Sequence, residues 1–469
     1  MQEFNLLATL ELLKTLEQIK DGKLRSPELK DDYNVELYRK GKRLYFNIPS
    51  NEFFYLHDEF NFSNLKLSTS DISVHIPYLV INNKGTEGAK GYIYEFEYKK
   101  VERDSLKHFR LFLPISSNMN FAFSIENLNI RINGFLTYLT SNALKASFDD
   151  KVFHMFVVSN SSSINSEEKY LVIDCDVPLL FEDFTEYCFS ILLCFGYVSG
   201  DFVNDRGFYV QYDTSTYSDI IGIVHREMRG TIDYSYVPTY SNPHGYIHDS
   251  TKAQPFIGKI RTLRFDEFSR LCKLCIDKDY IKTSLLLLME ADKLTLVSRP
   301  GILSIVLETL TNLLYEENKE DLVPIKDRST AKKLRQELIE TVNNFTGEVS
   351  AESKSLIVNK LSHINQVTNR SKLLLPFTIL KIPIEQSDIE AIEKRNSFLH
   401  GKIPIIAFRK DNSLNEEDKV RFYLSLKQYV LIAAIIMKYI GFDSLIVNYP
   451  KIYENSTGVP LDELLYRQI

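Results

Sequence analysis

Two textures divide the chain. After an opening helical pattern at about 3 to 20, the stretch to about 175 carries short aromatic and β-branched runs separated by polar turns. GYIYEFEYKK, KHFRLFLPI, VFHMFVVS and KYLVIDC are examples, and their alternation predicts antiparallel strands. The segment FEDFTEYCFSILLCFGYVSG breaks the alternation. Its apolar residues recur at helical spacing, Gly196 and Gly200 close it, and one helix is expected near 181–195. DYSYVPTYSNPHGYIHDSTKAQP, rich in Ser, Pro, Tyr and Gly, then reads as a long surface loop leading to a boundary near 255–262. From there the period becomes helical. FDEFSRLCKLCIDK, DYIKTSLLLLMEADKLTL, GILSIVLETLTNLLYEE, TAKKLRQELIETVNNF, SAESKSLIVNKLSHINQV, QSDIEAIEKRNSFLH and EEDKVRFYLSLKQYVLIAAIIMKYI all space apolar residues by three and four. Pro300 suits a first helical turn, and Ser387 with Glu390 resembles a capping box. The expectation is an α+β multidomain chain: a β-rich domain over 1–258, an all-α bundle over 259–445 and a tail over 446–469 with few regular signals. There is no internal repeat.

Composition narrows the function classes. A chain of 469 residues with 44% hydrophobic and 25% charged content is ordinary for a globular protein of two or three domains. The longest apolar run, YVLIAAIIM at 429–437, falls well short of the roughly 20 residues that cross a bilayer and is flanked by Lys427 and Lys438. A buried helix is expected there and no membrane association. The N-terminus lacks the basic start and cleavage site of a secretory signal, so the expected compartment is the cytoplasm. Five cysteines, sparse and odd in number, argue for reduced thiols over a disulfide framework. The net charge of -6 supplies no global attraction to nucleic acid, so any RNA contact must come from a local basic cluster.

One such cluster stands out. In RNSFLHG, Arg395 and His400 lie among Lys394, Lys402, Arg409 and Lys410. The spacing alone proves little, since RDSLKH offers the same pair in Arg103 and His108. Context separates them: RDSLKH falls between strand-like runs, whereas RNSFLHG closes a helix inside a bundle. Five steps along an ideal helix leave two side chains about 140° apart, so a shared site requires the helix to end there. Gly401 followed by Pro404 is the expected stop, and the helix end favours a protonated His400.

A helical bundle with Arg395, the polar Asn396, three further residues and His400 just before its last long helix resembles the HEPN superfamily. GILSIVLETLTNLL is similar to the HEPN core helix in which an acidic residue, here Glu308, interrupts an apolar run. The resemblance covers about 260–445. The β-rich half, with FGYVSGDFVNDRGFYVQYD ahead of a linker, is more loosely similar to the N-terminal domain of ApeA-type anti-phage proteins. The resemblance implies a ribonuclease that needs no metal or other cofactor, with its site formed across a homodimer of the helical domain. Arg395 would hold the phosphate, His400 would act as general acid or base, and Asn396 would position RNA or the other two. Lys394 and Lys402 would contact RNA. The implied setting is abortive infection, with a phage-derived trigger sensed by the first half.

Plainer readings stand beside these. Arg395 and His400 could be a surface arginine and a helix-capping histidine, and Glu308 a solvated helix edge. Cys272 and Cys275 form a lone CxxC without the second ligand pair of a zinc site and read as packing. His244, His248 and Asp249 sit in the Pro- and Ser-rich loop and read as loop residues. The many Tyr and Phe of the first half suit base stacking and a β-rich core equally. GxxxxGK, GxGxxG after a strand, HExxH and GxSxG are all absent, which leaves nucleotide-hydrolysing, dinucleotide-binding, zinc-protease and α/β-hydrolase readings without support. The alternative to an enzyme is a non-catalytic helical scaffold that binds a protein or nucleotide.

Overall fold

The computed structural model describes residues 2–25, 32–40, 43–49, 65–85, 88–115, 128–133, 135–139, 143–159, 169–200, 206–228, 239, 250–395 and 414–469. By packing, the chain forms two compact units, Met1–Asp292 and Lys293–Ile469.

The first unit is built on antiparallel ladders. β7 (Gly88–Tyr98), β4 (Arg43–Ile48), β3 (Tyr33–Lys40), β2 (Gly22–Arg25), β5 (Leu65–Ser68) and β6 (Ser73–Gly85) pair in that order, and β6 pairs back onto β7. The six strands therefore close into a barrel, which leaves no free edge among them. Alternation sets which side chains enter: Tyr33, Val35 and Leu37 of β3 are buried while their neighbours are exposed. Helix α1 (Leu7–Glu17) joins this core through Leu10, Leu13 and Leu16. Closure crowds Gly91, where an added Cβ would stand 1.9 Å from the Val80 carbonyl oxygen. Gly91→Ala is accordingly expected to cost at least about 2 kcal/mol. An unchanged thermal midpoint would contradict the close strand approach at this point.

From β7 the sheet continues through β15 (Ile220–Glu227), β14 (Arg206–Tyr212), β8 (His108–Ile115), β13 (Lys169–Cys175), β12 (Lys151–Ser159) and β11 (Ala143–Phe148). β8 and β14 are buried at every position, so both of their faces are covered. On one face Phe112, Phe208 and Val210 join the barrel core. On the other, Phe109 and Tyr209 meet Phe181 and Phe184 of α2 (Phe181–Ser199), the helix expected from its apolar spacing. Gly200 caps it at φ 83, whereas Gly196 lies inside it. β11 and β12 turn tightly through Asp149 and Asp150 at φ 49 and 59, the left-handed pair a two-residue hairpin turn demands.

Helices α3 (Phe265–Asp277) and α4 (Asp279–Ala291), which the sequence period grouped with the helical half, belong to the first unit. α3 packs on β11 and α2, and α4 packs on α2. Periodicity identifies a helix but not the surface that buries it. The boundary between compact units thus falls after Asp292, beyond the change of texture near 258.

The second unit centres on α5 (Arg299–Leu322), with Pro300 in its first turn. α6 (Arg328–Asn343) and α7 (Ala351–Ser362) form a hairpin in which neither helix has a buried residue. The side-chain amide of Asn365 ties the hairpin's base by two hydrogen bonds to the backbone of Ile325. α8 (Asn369–Ile379) returns along α5, α9 (Gln386–Glu393) follows, and α10 (Leu414–Tyr439) packs against α5 and α9. Among the described residues one helix segment, Glu416–Tyr439, is long and apolar enough to cross a membrane by length and composition, and 89% of its apolar window is buried. The tail folds onto the same unit. β16 (Leu445–Val447) pairs with β17 (Tyr466–Gln468), and α11 (Tyr449–Ile452) and α12 (Glu454–Thr457) pack on α10.

Candidate functional site

Residues 308, 311 and 312 are three and four apart on α5, so they share one stripe of that helix. Glu308 breaks the apolar run there. Its side chain is 46% exposed, while Thr311 is buried. Facing this stripe is the end of α9, whose position follows from both of its ends.

At the start, Glu385 and Asp388 form the capping box: the Asp388 carboxylate accepts the Glu385 backbone N–H at 2.9 Å. The Ser387–Glu390 box expected from the sequence is not the one that forms. Ser387 lies one residue inside the helix and its hydroxyl donates to Glu463 of the tail instead. Beneath this cap lies a buried ionic cluster. Lys427 donates to Asp388 at 3.0 Å, to Glu463 at 2.6 Å and to Ser387 at 2.9 Å. Arg467 reaches the second Asp388 oxygen at 2.7 Å. Burial pushes the carboxyls of Asp388 and Glu463 up. The Lys427 charge opposes it for both, joined by Arg467 at Asp388, and holds both below the usual carboxylate range. Ala391 completes the anchor against Val420, Tyr423 and Leu424 of α10.

α9 ends at Glu393, Lys394 caps it, and the next residue is Arg395. Arg395 is 6% exposed, and its Nη1 donates to Glu308 Oε2 at 3.0 Å. The two residues singled out on separate sequence segments are thus in direct contact, 87 positions apart. Arg395 Nε has no partner among the described residues, and neither does the Thr311 hydroxyl. Both residues line a cleft of about 420 Å³ between α5, α8 and α9. Lys394 is not part of its lining and pairs with Glu390 at 3.7 Å. Asn396, His400 and Lys402 lie outside the described residues.

The cleft has a third wall that the sequence reading passed over. Arg370 and Lys372, in the first turn of α8, line it together with Arg395. Arg370 Nε donates to Glu393 at 2.6 Å, and the Lys372 ammonium sits 4.3 Å above the Tyr315 ring. A signal was available, since cations at a helix N-terminus oppose the helix dipole and call for a compensating anion. Among the described lining residues three cations, Arg370, Lys372 and Arg395, face two carboxylates, Glu308 and Glu393. A guanidinium with free donors in a cleft of surplus positive charge suits a phosphate or another oxyanion.

Other sequence candidates separate clearly from this cleft. Arg103 pairs with Glu95 and Glu182 at 3.7 Å, while His108 opens β8 edge-on to Tyr217, so the second Arg–His pair forms no common site. Cys272 and Cys275 are buried on α3. Burial raises the Cys272 thiol, and a hydrogen bond with Cys194 together with burial raises that of Cys275, which keeps both protonated. His244, His248 and Asp249 lie outside the described residues. Comparison with known proteins adds no relative: no protein-family model, no curated protein and no solved structure matches the chain.

Proposed function

We propose that the chain is a metal-independent endoribonuclease of HEPN type, acting in the cytoplasm as a homodimer through its helical unit. The observation that carries this reading is Arg395, almost fully buried, oriented by Glu308 and lining a cleft with surplus positive charge. The chemistry is transesterification within RNA. The 2′-oxygen forms a bond to the adjacent phosphorus, the bond from phosphorus to the 5′-oxygen breaks, and the leaving 5′-oxygen takes a proton. Charge grows on the phosphoryl oxygens, where Arg395 is suited to receive it. His400, five residues on, is assigned the proton transfers, and Asn396 the positioning of RNA. Lys394 and Lys402 would contribute backbone contacts.

The hairpin of α6 and α7, with Leu334, Phe345, Leu356 and Ile357 exposed, supplies apolar surface for a second copy. The β-rich unit would restrain the site until a phage-derived trigger engages it, in keeping with abortive infection.

RNA and DNA of one sequence, incubated in excess chelator with wild type and His400→Ala, test the proposal. Cleavage of the RNA by wild type alone, with the DNA untouched for want of a 2′-hydroxyl, is the expected result. RNA cut equally by His400→Ala would remove the assigned acid or base, and no cleavage at all would favour the non-catalytic scaffold. Glu308 is a positioning residue here. Glu308→Gln weakens a half-exposed ion pair worth about 1 kcal/mol or less, so cleavage should slow by up to about 5-fold. The loss should fall on kcat with KM nearly unchanged, and an equal fall in thermal stability would mark Glu308 as merely structural.

A further inference from the structure

We propose that the first turn of α8 is a nucleic-acid backbone subsite, in which Arg370 and Lys372 bind phosphates next to the one held by Arg395. The inference rests on the reading of the cleft as an RNA site and adds its second wall. Three observations converge on it. Arg370 and Lys372 line the same cleft as Arg395, though the two segments are more than twenty residues apart. Both sit where the helix dipole is positive, so dipole and side chains favour an anion together. Arg395 Nε, buried and without a partner among the described residues, shows that the polar lining of the cleft is not self-satisfied.

The charges are arranged for exchange with a ligand. Glu393 is 40% exposed and Arg370 is 71% exposed, so their ion pair is solvated and weak enough to yield to a phosphate. Lys372 is held over the face of Tyr315, a contact that fixes the ammonium without neutralising it. Glu393 lies two residues before Arg395, so a phosphate that draws Arg370 from Glu393 is received beside the guanidinium at the centre of the cleft. Single strands without regular base pairing suit such a cleft, where cations contact the backbone and sequence is read little or not at all.

The test uses the full-length protein and a 2′-O-methyl oligoribonucleotide, which carries the backbone but cannot be cleaved by 2′-oxygen attack. Affinity is read by fluorescence anisotropy across a salt series. The double variant Arg370→Gln with Lys372→Gln should bind about tenfold more weakly and lower the salt slope by about one to two units. Lys14→Gln with Lys20→Gln removes the same charge from exposed positions of the first unit and should bind as wild type does. Equal binding by the α8 double variant and wild type, or an equal loss in the first-unit control, overturns the subsite. The two ideas fail separately. RNA cleavage by wild type with unchanged binding by the α8 variant sinks the subsite alone. Binding that depends on α8 without any RNA cleavage sinks the ribonuclease reading alone.

Discussion

Arg395→Ala is expected to slow RNA cleavage by about a hundred- to a thousandfold, the usual result of removing one preorganised donor from a phosphoryl or acyl transition state. The loss should be catalytic and not a failure to fold. Arg395 is nearly buried, but the carboxylate it leaves behind, Glu308, is half-exposed and can be hydrated. The pair is therefore worth about 1 kcal/mol or less to stability. Some packing of the arginine stem is lost as well. Thermal unfolding should accordingly move by a few degrees at most while activity collapses. Arg395→Lys should recover little, because a point-charge ammonium cannot bond Glu308 and a phosphate in the fixed fork of a guanidinium. Near-wild-type cleavage by Arg395→Ala would remove the guanidinium from the chemistry.

Lys427→Met should produce the largest loss of stability in the helical unit. Asp388 has no exposed surface and Glu463 very little, and Lys427 neutralises both at 3.0 and 2.6 Å. Removing it leaves Asp388 with Arg467 and Glu463 with the neutral donors Ser387 and Asn448, at a cost of about 3–5 kcal/mol for breaking a buried pair from one side. For a domain of this size the midpoint should fall by roughly 10 °C. The wild-type cluster also carries a pH dependence of definite sign. Asp388 and Glu463 titrate lower in the folded state than in the unfolded one, so their stabilisation is fully present above the ordinary carboxylate range. It fades as pH falls through their depressed values, and the unit should lose stability below about pH 4. The cluster anchors the start of α9, so this instability should reach Arg395 through that helix. A Lys427→Met midpoint equal to wild type would contradict the anchor.

The architecture was largely legible because periodicity reports element type directly. α2 appeared in the sequence as an apolar run at helical spacing among alternating strands, and α5 and α10 likewise. Closure of the barrel was not legible, since it depends on which strands pair, and β6 returning onto β7 leaves no mark in either strand alone. The allegiance of α3 and α4 to the first unit escaped for the same reason. Within the site, Arg395 and Glu308 could be named from RNSFLHG and the acidic break in GILSIVLETLTNLL, yet their contact spans positions that no local pattern connects. The actual cap of α9 was missed because Glu385 is an unusual N-cap residue and Ser387 a favoured one. Arg370 and Lys372 lie more than twenty residues before Arg395, and no local pattern links the two segments. Of the basic residues near Arg395 in sequence, Lys394 pairs with Glu390 on the flank of α9 instead of lining the cleft.

The most direct measurement is the chemistry of the ends left when wild-type protein acts on a labelled RNA in excess chelator. The proposed 2′-oxygen attack leaves a 2′,3′-cyclic phosphate on one fragment and a 5′-hydroxyl on the other, and it proceeds without divalent metal. Fragments bearing 5′-phosphates, or cleavage that disappears on chelation, would contradict it.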